Sequence, residues 1–148
     1  MPLDPTVDTH FIVIHNMNTW TAFMKISEAL QLDCSQIGFN IRNLSPPPPL
    51  SPTIQQQIIP HAPYIDMLPW SSLRDRVLNS IKVINEQELV FDMTDFKVWG
   101  STPWDLIGWE VGEQFTKKWW FLLDDSIIQT SNFWRSQRGE EPLVLAQP

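Results

Sequence analysis

Apolar residues recur every three or four positions in several stretches of the chain, and each such stretch predicts a helix. Trp20, Phe23, Ile26 or Ser27, and Leu30 repeat in this way. Thr19 to about Leu32 therefore reads as a helix capped by Thr19 that buries this face and exposes Lys25, Glu28 and Gln31. Leu73, Val77, Ile81 and Ile84 form a second stripe behind Ser72, whose spacing to Asp75 suits a capping box. A third stripe, Val111, Phe115, Lys118 or Trp119, and Leu122, predicts the main helix, from Trp109 or Glu110 to about Leu123, with Glu113 and Lys117 as a favourable i,i+4 pair. Ser126 is placed to cap a last helix carrying Ile127, Ile128 and Trp134, with Gly139 as its stop. Shorter helices are expected behind the T-x-x-Q box at Thr53–Gln56 and behind Asn85. The apolar run from His10 to His15 is too short for periodicity to separate strand from helix, and Phe96 to Trp99 reads as extended.

Prolines interrupt these patterns. In Asn43 to Thr53, NLSPPPPLSPT, four successive prolines favour extended polyproline II and exclude an α-helix. Pro60, Pro63 and Pro69 keep His61 to Trp70, HAPYIDMLPW, from being one helix, so His61, Tyr64, Asp66 and Trp70 are expected on irregular backbone. The fold expected is mainly α, a compact single-domain helical fold of five or six helices with a proline-rich connector. It spans residues 18–139, between an N-terminal tail with its apolar run (1–17) and a C-terminal tail (140–148).

Composition narrows the function classes. The chain has 148 residues, 43% hydrophobic and 18% charged, and a net charge of −7. It can bury a core without metals or disulfides. No Lys/Arg run supplies the basic face of a nucleic-acid binder. The single cysteine, Cys34, excludes an internal disulfide, fits a reducing compartment and is expected to be a small buried apolar residue. Neither a leader peptide nor a membrane span is expected. The sequence contains no Gly-rich phosphate loop, G-x-S-x-G, H-E-x-x-H or CxxC, so neither cofactor nor metal is expected.

Six of the eight tryptophans lie between Trp99 and Gly139, interleaved with acids and arginines. Apolar walls holding a few polar groups are what a small-molecule pocket needs, and equally what an ordinary core needs. Under the pocket reading, Asp66, Glu110 and His61 are the candidate acids and bases. Trp70, Trp99, Trp104, Trp109, Trp119, Trp134 and Tyr64 are the candidate walls, and Arg74, Asn132 and Arg135 the polar contacts. Under the other reading, Arg74, Arg76 or Arg135 neutralises the acids in structural ion pairs. Arg74 and Arg76 oppose the dipole at the start of their helix, so at least one is expected to pair with Asp66, Asp92 or Glu110.

The ordered strings HAPYIDMLPWSSLRDRVL, WGSTPWDLIGWEVGEQFTKKWWFLL and SNFWRSQRGE resemble the fungal DUF3425 family, a domain of unknown function often found C-terminal to a basic leucine zipper. The resemblance runs from about Thr19 to Glu140. The family's usual His-His-Pro-Trp stands here as His61-Ala62-Pro63-Tyr64, and its Gly-Asp-Pro-Trp as Gly100-Ser101-Thr102-Pro103-Trp104. The resemblance implies a regulatory context, yet these residues contain no basic region or zipper to carry DNA binding. The first expectation is therefore a small-molecule-binding protein with a Trp-lined apolar pocket, a cofactor-independent catalyst that cyclises or isomerises an apolar substrate in fungal secondary metabolism. The alternative is a regulatory, ligand-sensing or homodimerising domain related to fungal bZIP transcription factors and not itself DNA-binding. The address expected is the cytoplasm, or the nucleus if the chain acts with a transcription regulator.

Overall fold

A computed structural model describes residues 16–35 and 37–145. The apolar run His10 to His15 lies outside the described residues. Seven α-helices are described: α1 (Thr19–Leu30), α2 (Ile54–Ile58), α3 (Pro63–Asp66), α4 (Ser71–Ser80), α5 (Glu86–Asp92), α6 (Glu113–Lys118) and α7 (Asp125–Gln137). They surround a small antiparallel sheet of order β1-β2-β3: β1 (Asn16–Met17), β2 (Lys97–Trp99) and β3 (Trp109–Glu110). Asn16 pairs with Trp99, and Lys97 with Glu110. The domain is mostly helical.

Side-chain caps begin several helices. Thr53 and Gln56 form the full capping box of α2, and Asn85 caps α5 through the Glu88 amide. Elsewhere the start moves by a residue or two. Asn18, not Thr19, caps α1, which frees the Thr19 hydroxyl to donate to the Phe96 carbonyl at 2.7 Å. Asp124, not Ser126, caps α7. Gly139, at φ +72°, ends α7 as expected. The Glu140 amide reaches back to the Arg135 carbonyl and the Gly139 amide to the Ser136 carbonyl, the Schellman pattern.

Four expectations are corrected. The α1 face that turns inward is Thr19, Ala22, Ile26 and Leu30, and Trp20 is 72% exposed. The buried residues step by three or four along the helix without Trp20, so periodicity left two faces open. The main helix is not continuous: Trp109 and Glu110 are strand, α6 covers only Glu113–Lys118, and Trp120–Leu122 is a 3-10 turn. Trp109, Glu110 and Val111 are all buried in succession, which no helix face could achieve. The proline run is extended at Pro47, then closes into a 3-10 turn over Pro48–Leu50 that buries Leu50 completely. Cys34 is exposed.

The core is aromatic at its centre. Trp109, fully buried, meets Trp70 at 5.6 Å, Phe23 at 5.7 Å and Phe96 at 6.1 Å between ring centroids. Phe96 continues the cluster edge-on to Phe115 at 4.7 Å. Leu30, Leu50, Ile65, Leu73, Val77, Leu89, Leu122 and Ile127 enclose it. Residues 140–145 run back along α7 and set Leu143 into this core. The Asn132 side chain holds the segment like a peptide group, accepting from the Leu143 amide and donating to its carbonyl at 2.6 and 3.0 Å. Among the described residues no helix is long and apolar enough to cross a membrane.

Candidate functional site

Of the residues singled out in the sequence, the fold brings Asp66, His61 and Arg74 into one buried polar knot. Pro63 starts α3 in the N-terminal position where its missing amide is harmless, so part of the segment expected to be irregular is one helical turn. That turn points Asp66 back towards His61. Asp66 Oδ1 accepts from His61 Nε2 at 2.7 Å and from Gln56 Nε2 at 2.7 Å, and Oδ2 accepts from Asn40 Nδ2 at 3.2 Å. The other His61 nitrogen, Nδ1, lies 2.6 Å from the Ile59 carbonyl. Both ring nitrogens thus face acceptors, an arrangement that favours the doubly protonated ring. Burial opposes that charge, but the bonds to Asp66 and to the Ile59 carbonyl outweigh it and hold the His61 pKa above its ordinary 6.5.

Arg74 closes the knot from α4. It is completely buried, and its fork donates to Gln56 Oε1 at 2.7 Å and to the carbonyls of Leu68, Pro49 and Ser51 at 2.6, 3.2 and 3.1 Å. Burial brings its pKa down to about 10 against the pull of Asp66 and Asp75. The pairing expected for the two arginines is thereby corrected. Arg74 and Arg76 bond carbonyl oxygens, Arg76 that of Leu123 at 2.7 Å. Asp75, expected to close a capping box with Ser72, instead accepts from Thr53 Oγ1 at 2.5 Å, and α4 begins at Ser71 without a side-chain cap. A cleft of about 260 Å³ opens beside the knot, lined by Asn40, Gln56, His61 and Asp66 with Phe39 and Pro52.

Glu110, the other candidate acid, stands elsewhere in the fold. Its buried carboxylate receives both arms of Arg138 at 2.9 and 2.5 Å and the Trp99 indole N–H at 3.1 Å. Glu110 and then Glu140 raise the Arg138 pKa above its ordinary value. Arg138 also lies over the Trp99 ring, which stacks on Trp134 at 5.2 Å and 18°. Tyr64 donates to Glu86 at 2.6 Å, and burial first and that acid second raise its pKa. Arg135 and Asn132 hold the returning C-terminal segment, Arg135 through the Glu141 carbonyl at 2.6 Å.

A family model described as Domain of unknown function (DUF3425) matches residues 40–130. The chain belongs to the DUF3425 family. The match begins at Asn40 and takes in the whole knot: Asn40, Gln56, His61, Asp66 and Arg74. No curated protein and no solved structure matches the chain.

In this DUF3425 domain the candidate tryptophans are spread over several places among the described residues. Trp70, Trp109 and Trp119 are buried in the core, Trp104 packs against it, and Trp99 and Trp134 cover each other. A tryptophan not named among the candidate walls, Trp20, lines an open cleft. Trp20 lies in a cleft of about 530 Å³ with Met17, Phe23, Val90, Thr94 and Phe96. Val90, which lines that cleft, is also exposed, as are Met24 on the same helix as Trp20 and, by 74%, Phe91, which follows Val90 on α5. Sequence reasoning missed this face because it assigned Trp20 to the core. The signal available was a polar turn position: Trp20 directly follows the Asn18-Thr19 start of its helix, where a side chain has fewer neighbours.

Proposed function

We propose that this DUF3425 chain is a regulatory interaction domain, which acts by docking a partner and turns over no substrate. The observation that supports this best is the Trp20 face, an exposed indole beside an apolar cleft on a rigid helix. Monomeric proteins seldom expose contiguous large apolar groups without a use for them, and Trp is the residue that most often anchors an interface. The groups named for catalysis support it from the other side. A general base needs a lone pair directed at the substrate. Asp66 directs three of its four acceptor positions at Asn40, Gln56 and His61, and Glu110 directs three of its own at Arg138 and Trp99.

The experiment compares the two activities in one preparation. The purified chain is incubated with apolar metabolite extract, and bound and free fractions are read by mass spectrometry. In parallel, a photo-reactive residue at position 20 is used to cross-link in cells; the adduct is identified, purified and its affinity measured. The expected result is no compound consumed, and a purified partner whose binding is lost in Trp20→Ala with the melting temperature retained. A compound converted to an isomer by the wild type but not by Asp66→Asn or Glu110→Gln would overturn the proposal in favour of a catalyst.

A further inference from the structure

The Trp20 face has an acidic flank, and we infer that its partner is a protein segment presenting an apolar anchor with lysines or arginines beside it. This rests on the reading of that face as a docking surface and adds the chemistry of what docks.

Thr94 belongs both to the Trp20 cleft and to a second cleft of about 570 Å³, so the two adjoin. The second is lined by Phe91, Asp92, Asp95, Phe115, Lys117 and Lys118 among others. One surface therefore runs from exposed aromatic rings, Trp20 and Phe91, to a cluster of charges.

The charges are unbalanced. Four carboxylates, Glu88, Asp92, Asp95 and Glu113, accompany two ammonium groups, Lys117 and Lys118. Lys118 pairs with both Glu88 and Asp92, and Lys117 with Glu113 at 3.2 Å. Asp95 is exposed and makes no hydrogen bond or ion pair among the described residues. An arriving cation meets this acceptor without displacing a lysine. The whole chain carries −7, so its long-range field favours the same sign of partner. A second copy of this chain brings the same acids to the same face, and like charges across an interface oppose pairing. An acidic segment meets the same repulsion.

The test uses the full chain and two synthetic amphipathic helices that share one leucine face, one with lysine and one with glutamate on the flanks. Binding is read by calorimetry over a salt series, and self-association by sedimentation. The lysine helix is expected to bind about tenfold tighter than the glutamate helix, more weakly as salt rises. The Trp20→Ala/Phe91→Ala variant is expected to lose about tenfold. Asp95→Asn is expected to lose severalfold and to flatten the salt dependence, with unchanged circular dichroism. Leu44→Ala, at a side chain 98% exposed elsewhere, is the control and is expected to change nothing.

Equal binding of the two helices, or lysine-helix binding that ignores Trp20 and Phe91, overturns the inferred partner. Self-association abolished by Trp20→Ala assigns the face to a second copy, and a synthetic peptide of residues 8–15 bound through Trp20 assigns it to the chain's own apolar run. Both results overturn the basic partner while leaving the docking face standing. If none of these probes engages Trp20, the docking face falls, and the proposed function with it.

Discussion

Arg74 shows how much one side chain can organise. Its guanidinium joins the proline run, α2 and the turn before α4 by donating to four carbonyl-type oxygens. Lysine carries the charge but cannot offer a planar fork to several acceptors at once. Arg74→Lys is expected to leave buried carbonyls unpaired and to lower stability by about 3 kcal/mol, read by urea unfolding. His61 makes a different prediction. Its folded pKa is above the unfolded value of 6.5, so the folded state binds the proton more tightly. The stability this contributes is fully present below about pH 6.5 and is lost as pH rises through the folded pKa. Unfolding free energy should therefore decline from pH 6 towards pH 8, and His61→Phe should remove most of that slope. A flat wild-type profile would show that the imidazolium is not the folded form.

At the scale of elements, the β2–β3 pairing explains why the stretch with the densest tryptophans does not form one helix. Pairing Lys97 with Glu110 sets Glu110 against Arg138 and Trp99, and the Val111 amide donates to the Ser131 hydroxyl oxygen at 2.9 Å. Those partners come from β2, from α7 and from Arg138 just past its end, and leave no trace in the local 3.6-residue period. Gly108 lets this strand come so close. A Cβ there would collide with the Trp99 carbonyl, which is backbone and cannot move aside cheaply. Gly108→Ala should cost about 1–3 kcal/mol by overpacking, measured as a shift in the denaturant midpoint at constant m-value. The adjoining turn should survive, because Asp105 caps it through the Ile107 amide.

At the scale of the whole molecule, the segment after Gly139 completes the core. Leu143 is 6% exposed and fixed by Asn132. Leu143→Ala should cost about 2–5 kcal/mol, as buried leucines do, and thermal melting would show whether it does. A change within error of zero would mean that the segment is not docked in solution. The face around Trp20 carries no such cost. Its side chains are exposed, so truncating them should leave melting nearly unchanged while removing binding. That contrast separates the residues that hold the DUF3425 fold from those proposed to use it.

The sequence by itself determined what depends on neighbours along the chain. The Thr53–Gln56 box, the Asn85 cap, the Gly139 stop, the Leu73 and Val77 part of the α4 stripe and the Ile127 and Ile128 start of α7 are local hydrogen bonds and local periods, and they were legible. So was the family, since its residues stand in order. The tertiary structure alone decided which face of α1 turns inward, that Trp109 to Leu122 divides into strand, helix and turn, and that the candidate acids are paired. Each of these depends on partners from distant segments: Phe96 for Thr19, Arg138 for Glu110, Gln56 and Asn40 for Asp66. A side chain's chemistry is written in the sequence, but whether its lone pairs are free is settled only when the fold brings up the donors that occupy them.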